Sequence, residues 1–477
     1  MSEQPPVRLA VLIGALTLAG CSLAPDGARE EREKLEAAGA AYETPVEKRV
    51  LPELPEAPTW REVLRRAFLA NGDLEAAYFE WSAAVQRIDG ASAYPNANLS
   101  LGFDYMFSGE RMKSFDRATF TAGFDPAMSL TLPAKVERAG RLALSEARAA
   151  GERFRVAKFE LQRRVLRAWA DYLLRERTIA LREQDLVLRR VMVDAAARGA
   201  GAGVPLREAQ AAELELRMSE NELLGLRSEH ETARATLNAL LGREATAPLG
   251  ASGLESEVRA LPGDDAMMLR AAADVFPEVA AMAREAEGRA DALELARMRW
   301  VPDISPTASL TGTLSQALGA MITLPTTAAS IRAGIKEAEA NLRASRAILR
   351  QRSSDRVGEY VSLLVMYRNA QRERAFLEGA ILPAATRLSE VDARAYAIGA
   401  ASFAEVIESR RTLLKVRELV ATAHAEMDKA VVEIECCLGI DIETIAADRT
   451  SHSAPETASR HEAAASVQNP KGGDHVH

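Results

Sequence analysis

Val165 to Val193 reads VLRAWADYLLRERTIALREQDLVLRRVMV. Val165, Tyr172, Ile179, Leu186 and Val193 recur every seven residues, and Leu174, Leu181 and Leu188 form a second series at the same spacing. One such series predicts a coiled-coil seam. Two offset series predict a helix that touches neighbours on both sides, in a bundle or in a wall of helices closing on itself. Arg and Glu fill the intervening positions, as a wetted face requires. From Ala134 to about Arg198 there is no proline and only two glycines, Gly140 and Gly151. As one helix this run would span about 97 Å at ~1.5 Å per residue, far more than a small globular domain needs.

A break follows at Arg198-Gly199-Ala200-Gly201-Ala202-Gly203-Val204-Pro205. Glycine tolerates positive φ, and Pro205 suits the first turn of another helix. The next periodic run, from about Leu206 to Leu241, ends at Gly242, a helix stop. Residues 134–241 are therefore expected to form a very long antiparallel helical hairpin with its tip at 199–205. The second half repeats the plan. Leu324-Pro325 stands where Leu132-Pro133 stood, Tyr396-Ala397-Ile398-Gly399 marks a second tip, and Leu438-Gly439 closes a second return helix as Leu241-Gly242 closed the first. Tyr94-Pro95-Asn96 has its counterpart in Val301-Pro302-Asp303, and Asn71-Gly72-Asp73-Leu74 in Phe276-Pro277-Glu278-Val279. Pro383 interrupts the second ascending run and is expected to kink or divide it.

Extended chain lies between the helical parts. Residues 98–107 and 119–132 alternate apolar with polar or small residues, as strands with two unlike faces do. Residues 304–313 and 314–324 offer a second, shorter hairpin that holds Pro306. Each half reads helix, strand, strand, long helix, return helix. An open sheet edge is forbidden in lipid, so if the strands cross a membrane, several chains must contribute to one closed barrel.

The N-terminus reads as an address. Leu9 to Ala19 form an apolar core too short to span a bilayer, and Leu18-Ala19-Gly20-Cys21 resembles a lipoprotein processing site. The Cys21 thiol would take a diacylglycerol and the freed amine a third chain such as palmitate; several chains anchor where one cannot. Ser22, where an aspartate would resemble an inner-membrane retention signal, favours an outer-membrane destination. The expected division is a signal peptide at 1–20, an acylated arm at 21–59, a first repeat at 60–259, a second at 260–442, and a disordered tail at 443–477. Arg29 to Glu36 is expected to be a short helix, after which Pro45, Pro52, Pro55 and Pro58 prevent a continuous one. The arm is read as a tether along another surface. Four of the six histidines lie in the tail, which is more simply a polar segment than a metal site.

Composition narrows the function. The 477 residues carry 60 Lys and Arg against 68 Asp and Glu, a net charge of -8 that argues against non-specific nucleic-acid binding. Three cysteines exclude a disulfide scaffold, and adjacent Cys436 and Cys437 read as small apolar residues near a helix end. No His-Glu-x-x-His, Gly-x-Ser-x-Gly or phosphate-binding Gly-Lys-Ser/Thr motif occurs, so no catalytic residue, metal or cofactor is assigned. His230 and His424 are read as surface or packing residues.

The duplicated plan resembles the TolC-like outer-membrane efflux channel family over roughly residues 60–442. The resemblance is carried by the Tyr-Pro-Asn and Val-Pro-Asp turns before the strands, the Leu-Pro turns at Pro133 and Pro325, the Gly-containing tips, and the Leu-Leu-Gly and Cys-Leu-Gly helix ends. It implies a fold that is mainly α with a membrane β-barrel part. Each chain of a homotrimer gives four strands to a twelve-strand barrel, and the long hairpins form a periplasmic α-barrel. It implies a passive export duct anchored in outer-membrane lipid, with a periplasmic adaptor protein at the tips and an inner-membrane pump supplying energy. The adaptor-facing residues would be Gly199, Gly201, Gly203, Pro205, Tyr396 and Gly399. Glu390 and Asp392 would gate the tip, or would simply be solvated charges. Family members often carry Phe-Asp-Gly-Gly-like residues after the Leu-Pro turn; here Ala134-Lys135-Val136 and Thr326-Thr327-Ala328 stand there. The competing reading is a non-conducting lipid-anchored helical scaffold of the envelope, which would need neither the alternating segments nor the duplication.

Overall fold

The computed structural model describes residues 23–93, 99–107, 113–124, 132–200, 206–250, 259, 261, 276–311, 315–324 and 326–440. Nine helices and four strands follow in order among them: α1 (Ala28–Gly39), α2 (Trp60–Ala70), α3 (Gly72–Ser92), β1 (Leu99–Tyr105), β2 (Ala118–Phe124), α4 (Pro133–Ala200), α5 (Leu206–Leu240), α6 (Pro277–Arg297), β3 (Asp303–Thr311), β4 (Ser315–Thr323), α7 (Ala328–Phe376), α8 (Leu382–Ala397) and α9 (Phe403–Leu438). The two long hairpins are α4–α5 and α7–α8–α9. The 68 residues of α4 form one unbroken helix, about 100 Å long at ~1.5 Å per residue.

The heptad reading of α4 holds. Val165, Tyr172 and Leu186 of the first series are buried, as is Leu181 of the second. The neighbours are α5, α6, α3 and α9 of the same chain. One core gathers Val63, Leu64 and Ala67 of α2 and Leu74 of α3 around Leu161, Val165, Trp169 and Tyr172 of α4, with Leu237 and Leu240 of α5. The second half builds a smaller counterpart from Tyr360 and Tyr367 of α7 and Met427, Val431, Ile434 and Leu438 of α9. The duplication extends to detail. The Tyr172 hydroxyl donates to the Leu249 carbonyl, and the Tyr367 hydroxyl accepts from the Leu261 amide at 3.1 Å. Each tyrosine thus pins the chain that connects the two halves. Both return helices stop at a left-handed glycine, Gly242 at φ 59 and Gly439 at φ 62, a backbone state glycine adopts without a Cβ clash.

The arm packs on its own chain. Its helix is α1, slightly longer than the charged run that predicted it. Ala28 and Leu35 sit against Trp81, Ala84, Val85 and Ile88 of α3 and Ala143, Leu144 and Ala147 of α4. Glu31 is buried because it accepts from the Trp81 indole N–H at 3.0 Å, which satisfies both groups. Farther on, Arg49 donates to the Leu69 carbonyl at 2.5 Å and to Glu75 at 3.2 Å, fastening the proline-rich stretch to the α2–α3 corner.

Two expectations are refined. The second ascending run is divided beside Pro383 rather than at it. A π-helical turn, Leu377–Ile381, joins α7 to α8, with Pro383 in the first turn of α8. A proline ring collides with the carbonyl of residue i−4 in a regular helix, here Gly379, and that residue lies inside the widened turn. In the second strand pair β3 and β4 have nine residues each; β1 and β2 are described over seven, β1 beginning and β2 ending against residues outside those described. Pro306 pairs with Ala320 of β4 and lies just past Thr307, the last β3 partner of β2, so its missing N–H costs the β2 ladder nothing.

Candidate functional site

The four strands form one antiparallel sheet in the order β1-β2-β3-β4. The β2–β3 pairing joins the two halves of the chain, with Phe120 opposite Leu310 and Thr121 opposite Ser309. Paired positions line up in rows across the sheet. One row runs Phe103, Phe120, Leu310, Gln316, and another Leu101, Ala122, Ala308, Leu318. Alternating with them run Gly102, Thr121, Ser309, Ala317 and Asp104, Thr119, Thr311, Ser315. Successive residues of a strand belong to opposite faces. One face is therefore almost wholly apolar, and the other is built of hydroxyl and small residues with Asp104. Apart from Ala118, which is buried, the apolar face is open where it can be read: Leu101 is 75% exposed, and Phe103, in ring contact with Phe120 at 5.1 Å, is 60% exposed. Aromatic residues gather at one end of β1, where Tyr105 meets Phe107. Both outer strands, β1 and β4, are edges.

The sheet is held to the helices at the opposite end of the strands. Pro133 opens α4, a position that needs no backbone N–H. Two residues on, Lys135 donates to the Val301 carbonyl at 2.8 Å and pairs with Asp303, the first residue of β3, at 2.8 Å. This cation ties the first long helix to the second strand pair. Pro325 and Tyr94-Pro95-Asn96 lie outside the described residues, as does Cys21. Leu23, two residues past Cys21, donates its amide to the Ser92 carbonyl at the end of α3 at 3.0 Å.

At the far end of the hairpins the second tip is well defined. Gly399 takes φ 74; its amide bonds to the Tyr396 carbonyl and that of Ala400 to the Ala395 carbonyl, closing α8. Ser402 then starts α9 with a capping box to Glu405. Tyr396 is 48% exposed and Ile398 82%. Glu390 is exposed and pairs with Arg394, one turn on, at 3.1 Å; Asp392 is half-buried. At the first tip Gly199 belongs to the last turn of α4, and Gly201, Gly203 and Pro205 lie outside the described residues.

No family model matches the chain, and no curated protein does. Solved structures do. The outer membrane protein VceC from Vibrio cholerae is 18% identical, with 80% of this chain and 96% of that one covered at a TM-score of 0.63. The outer-membrane channel OprN gives 18% identity over 83% and 94% at 0.63. The open state of the Neisseria gonorrhoeae MtrE outer membrane channel gives 16% over 80% and 89% at 0.63. The chain shares the fold of these outer-membrane proteins, and the likeness extends over most of both chains.

Within that fold the two halves meet in a buried charged knot that the sequence did not reveal. Glu435 of α9 is fully buried; it accepts from Gln162 of α4 at 3.2 Å and pairs with Arg259 of the connecting chain. Arg259 also lies over the Trp60 ring, 4.5 Å from its centre. Two and three turns before Glu435, α9 carries Asp428 and His424. Burial pushes the Asp428 carboxyl up to about 6, against the pull of Arg259, His424 and Arg374. His424 pairs with Glu378 of the π turn. The only hint in the sequence was an acid among the apolar residues of VVEIECCL, which the helical pattern alone could not place inside or outside.

The cysteines behave as packing residues. Burial pushes Cys436 up to about 12 and Cys437 to about 11, so neither is a thiolate at neutral pH. They border a cavity of about 530 Å³ between α4, α7 and α9, crossed by Glu160–Arg163 and Arg356–Glu359 ion pairs. His230 stacks on Tyr172 at 4.7 Å, the packing role expected of it. Among the described residues no helix is long and apolar enough to cross a membrane, and no three His, Cys, Asp or Glu side chains group to hold a metal ion.

Proposed function

We propose that this chain is the outer-membrane channel of a tripartite efflux system, a passive duct that works with a periplasmic adaptor protein and an inner-membrane pump. The observation that carries the reading is the four-stranded sheet with one apolar face, one hydroxyl-rich face and two unpaired edges, mounted on two very long helical hairpins. Unpaired backbone groups are not tolerated in lipid, and the smallest membrane barrels need about eight strands. Four strands cannot close alone. Three copies supply twelve, with β4 of each chain pairing β1 of the next, the apolar rows facing lipid and the Ser/Thr rows facing a hydrated lumen. The nine residues of β3 and of β4 stand at the lower end of the about 9–11 that a tilted membrane strand needs.

The remaining assignments follow from that arrangement. Residues 60–259 and 260–442 are the two channel repeats. Acylated Cys21 anchors the chain to the outer membrane, two residues before Leu23, which is bonded to the end of α3. The tips at 199–205 and 396–402 meet the adaptor, with Gly199, Gly201, Gly203, Pro205, Tyr396 and Gly399 as contact residues. Asp392 and Glu390 give the mouth a negative charge, Glu390 the less because Arg394 shares it; replacing both by Ala should reduce cation selectivity.

The test is the protein mass of the processed complex in detergent, followed by conductance in a planar bilayer. A processed chain has a mass of about 49 kDa and a trimer about 148 kDa. A species near 148 kDa that conducts supports the duct. A stable monomer in a detergent that preserves assemblies, or a trimer that never conducts, overturns it in favour of the lipid-anchored scaffold.

A further inference from the structure

The two ascending helices differ in one respect that packing does not demand. α4 runs straight through, whereas the second ascending helix is interrupted two-thirds of the way to its tip by the π turn Leu377–Ile381. A π turn carries one residue more than an α turn and has weaker backbone bonding. Pro383 removes a further amide donor just beyond it. Thr386 turns its hydroxyl back onto the Leu382 carbonyl at 2.8 Å, a bond that bends helices. Three weakening features thus fall within ten residues.

Packing changes character at the same place. Toward the sheet, Tyr360 and Tyr367 of α7 interlock with Met427, Val431 and Ile434 of α9. Toward the tip, only Ala385 and Ser389 of α8 are buried. Although α9 buries Val406, Ile407 and Leu414 in this stretch, a helix that itself buries only small residues is less tightly interlocked than one that buries tyrosines. At the boundary the contacts are polar: Glu378 pairs with Arg374 at 3.2 Å and with His424 across on α9, and Arg374 reaches the Met427 sulfur at 3.6 Å.

We infer that the π turn Leu377–Ile381 is a hinge, caught by the Glu378–His424 pair, about which α8 and its tip move relative to α7. Its consequence, a tip that widens for export, rests on the channel reading. The mobility does not, and it is tested separately by hydrogen–deuterium exchange on the processed full-length protein in detergent. Releasing the catch by Glu378→Gln or His424→Gln should speed exchange of amides in 378–397 by about ten-fold, while amides of 340–370 keep their rates. Deleting Gly379 together with Pro383→Ala, so that no proline ring meets the carbonyl four residues before it, should convert the π turn to an α turn; Gly379 is exposed and no atom lies within 4 Å of a Cβ built there. That double change, or Pro383→Ala alone should the deletion variant not assemble, should slow exchange across 378–397 by a similar factor. The hinge is overturned if the catch variants leave 378–397 unchanged, if they speed 340–370 equally, or if neither repair variant slows the segment. Conductance of the same variants separates the two ideas. A hinge that responds as stated in a protein that never conducts leaves the hinge standing and removes the channel.

Discussion

α4 and α7 occupy the same place in a duplicated plan, yet they solve the burial problem differently. α4 is lined on several sides by its own chain, and Leu144, Leu161, Val165, Trp169 and Tyr172 are all buried there. In the 49 residues of α7 only Ile331, Leu342, Tyr360 and Tyr367 are buried. It leaves Val357, Val361, Val365 and Met366 exposed. Val357, Val361 and Val365 are four residues apart and share one face of the helix. The first hairpin finishes its core in cis, and the second presents an apolar stripe that no described residue covers. Duplication supplied two identical opportunities for packing; the arm, α2 and α3 fill one of them.

The largest expected effect lies on the finished side. Tyr172→Ala removes a buried ring that stacks on Trp169 and His230 and frees the Leu249 carbonyl. Stability should fall by about 3–5 kcal/mol, measured as a lower urea midpoint, with the loss visible even in chains that have not assembled. A loss below about 1 kcal/mol would mean that the first core is not the rigid half of the molecule.

The stripe on α7 should respond in the opposite manner. Val361→Glu with Val365→Glu adds charge where a neighbour is expected and little strain where water is expected. The complex should fall from about 148 kDa to about 49 kDa, with helical circular dichroism kept. If the helix melts instead, the stripe packs within the chain and the contrast with α4 fails.

How much of this contrast was legible in the sequence depends on the range of the cause. The length of α4, the tips and the glycine stops are local, and seven-residue spacing or a single Gly at Gly242 and Gly439 announces them. The strand pairs were found to within a few residues, because alternation with period two is also local. The π turn was legible only as a proline in a helix. Whether Pro383 breaks, kinks or is absorbed depends on where the displaced Gly379 carbonyl can go, and that is set by the turn geometry. The Glu435–Arg259–Gln162 knot was invisible, since its three partners lie in separate parts of the chain. The seams of α4 showed that it has neighbours, but not that those neighbours are α3, α6 and α9 rather than another copy.

A third measurement sharpens the comparison inside the return helices. The same spacing that matches Leu438 to Leu241 matches Asp428 to Glu231, which is exposed. Asp428 instead faces Arg259, His424 and Arg374 from a site whose burial raises its pKa to about 6, with Glu378 nearby on the π turn. A folded-state pKa above the unfolded value means that the native protein holds this proton more tightly. Stability is then fully present below about pH 4 and is lost as pH rises through about 6. At pH 8 the cost is up to about 3 kcal/mol, at ~1.4 kcal/mol for each tenfold change in proton affinity. Asp428→Asn should raise the urea midpoint at pH 8 and leave it unchanged near pH 4, whereas Glu231→Gln should change neither. A destabilised Asp428→Asn at pH 8 would show that Arg259 and Arg374 need this charge more than burial opposes it.

The smallest effect is at the tip. Ser402 accepts from the Glu405 amide at 3.2 Å, while the Glu405 carboxylate accepts from the Ser402 amide at 2.6 Å, satisfying two helix-end groups at once. The Ser402 amide and hydroxyl, both donating to it, hold the Glu405 carboxyl below its usual range. Ser402→Ala should cost about 1 kcal/mol, and the place of the loss matters more than its size. The first turns of α9 bury Val406 and Ile407 but stand outside the core that holds Val431 and Ile434. Exchange of amides in 403–410 should therefore quicken by about five-fold, the factor equivalent to 1 kcal/mol, while amides of 427–438 and the global urea midpoint stay as they were. If the loss instead spreads along α9 to Leu438, the second hairpin unfolds as one unit from tip to core, and its difference from the first lies only in what covers it and not in how firmly it is held.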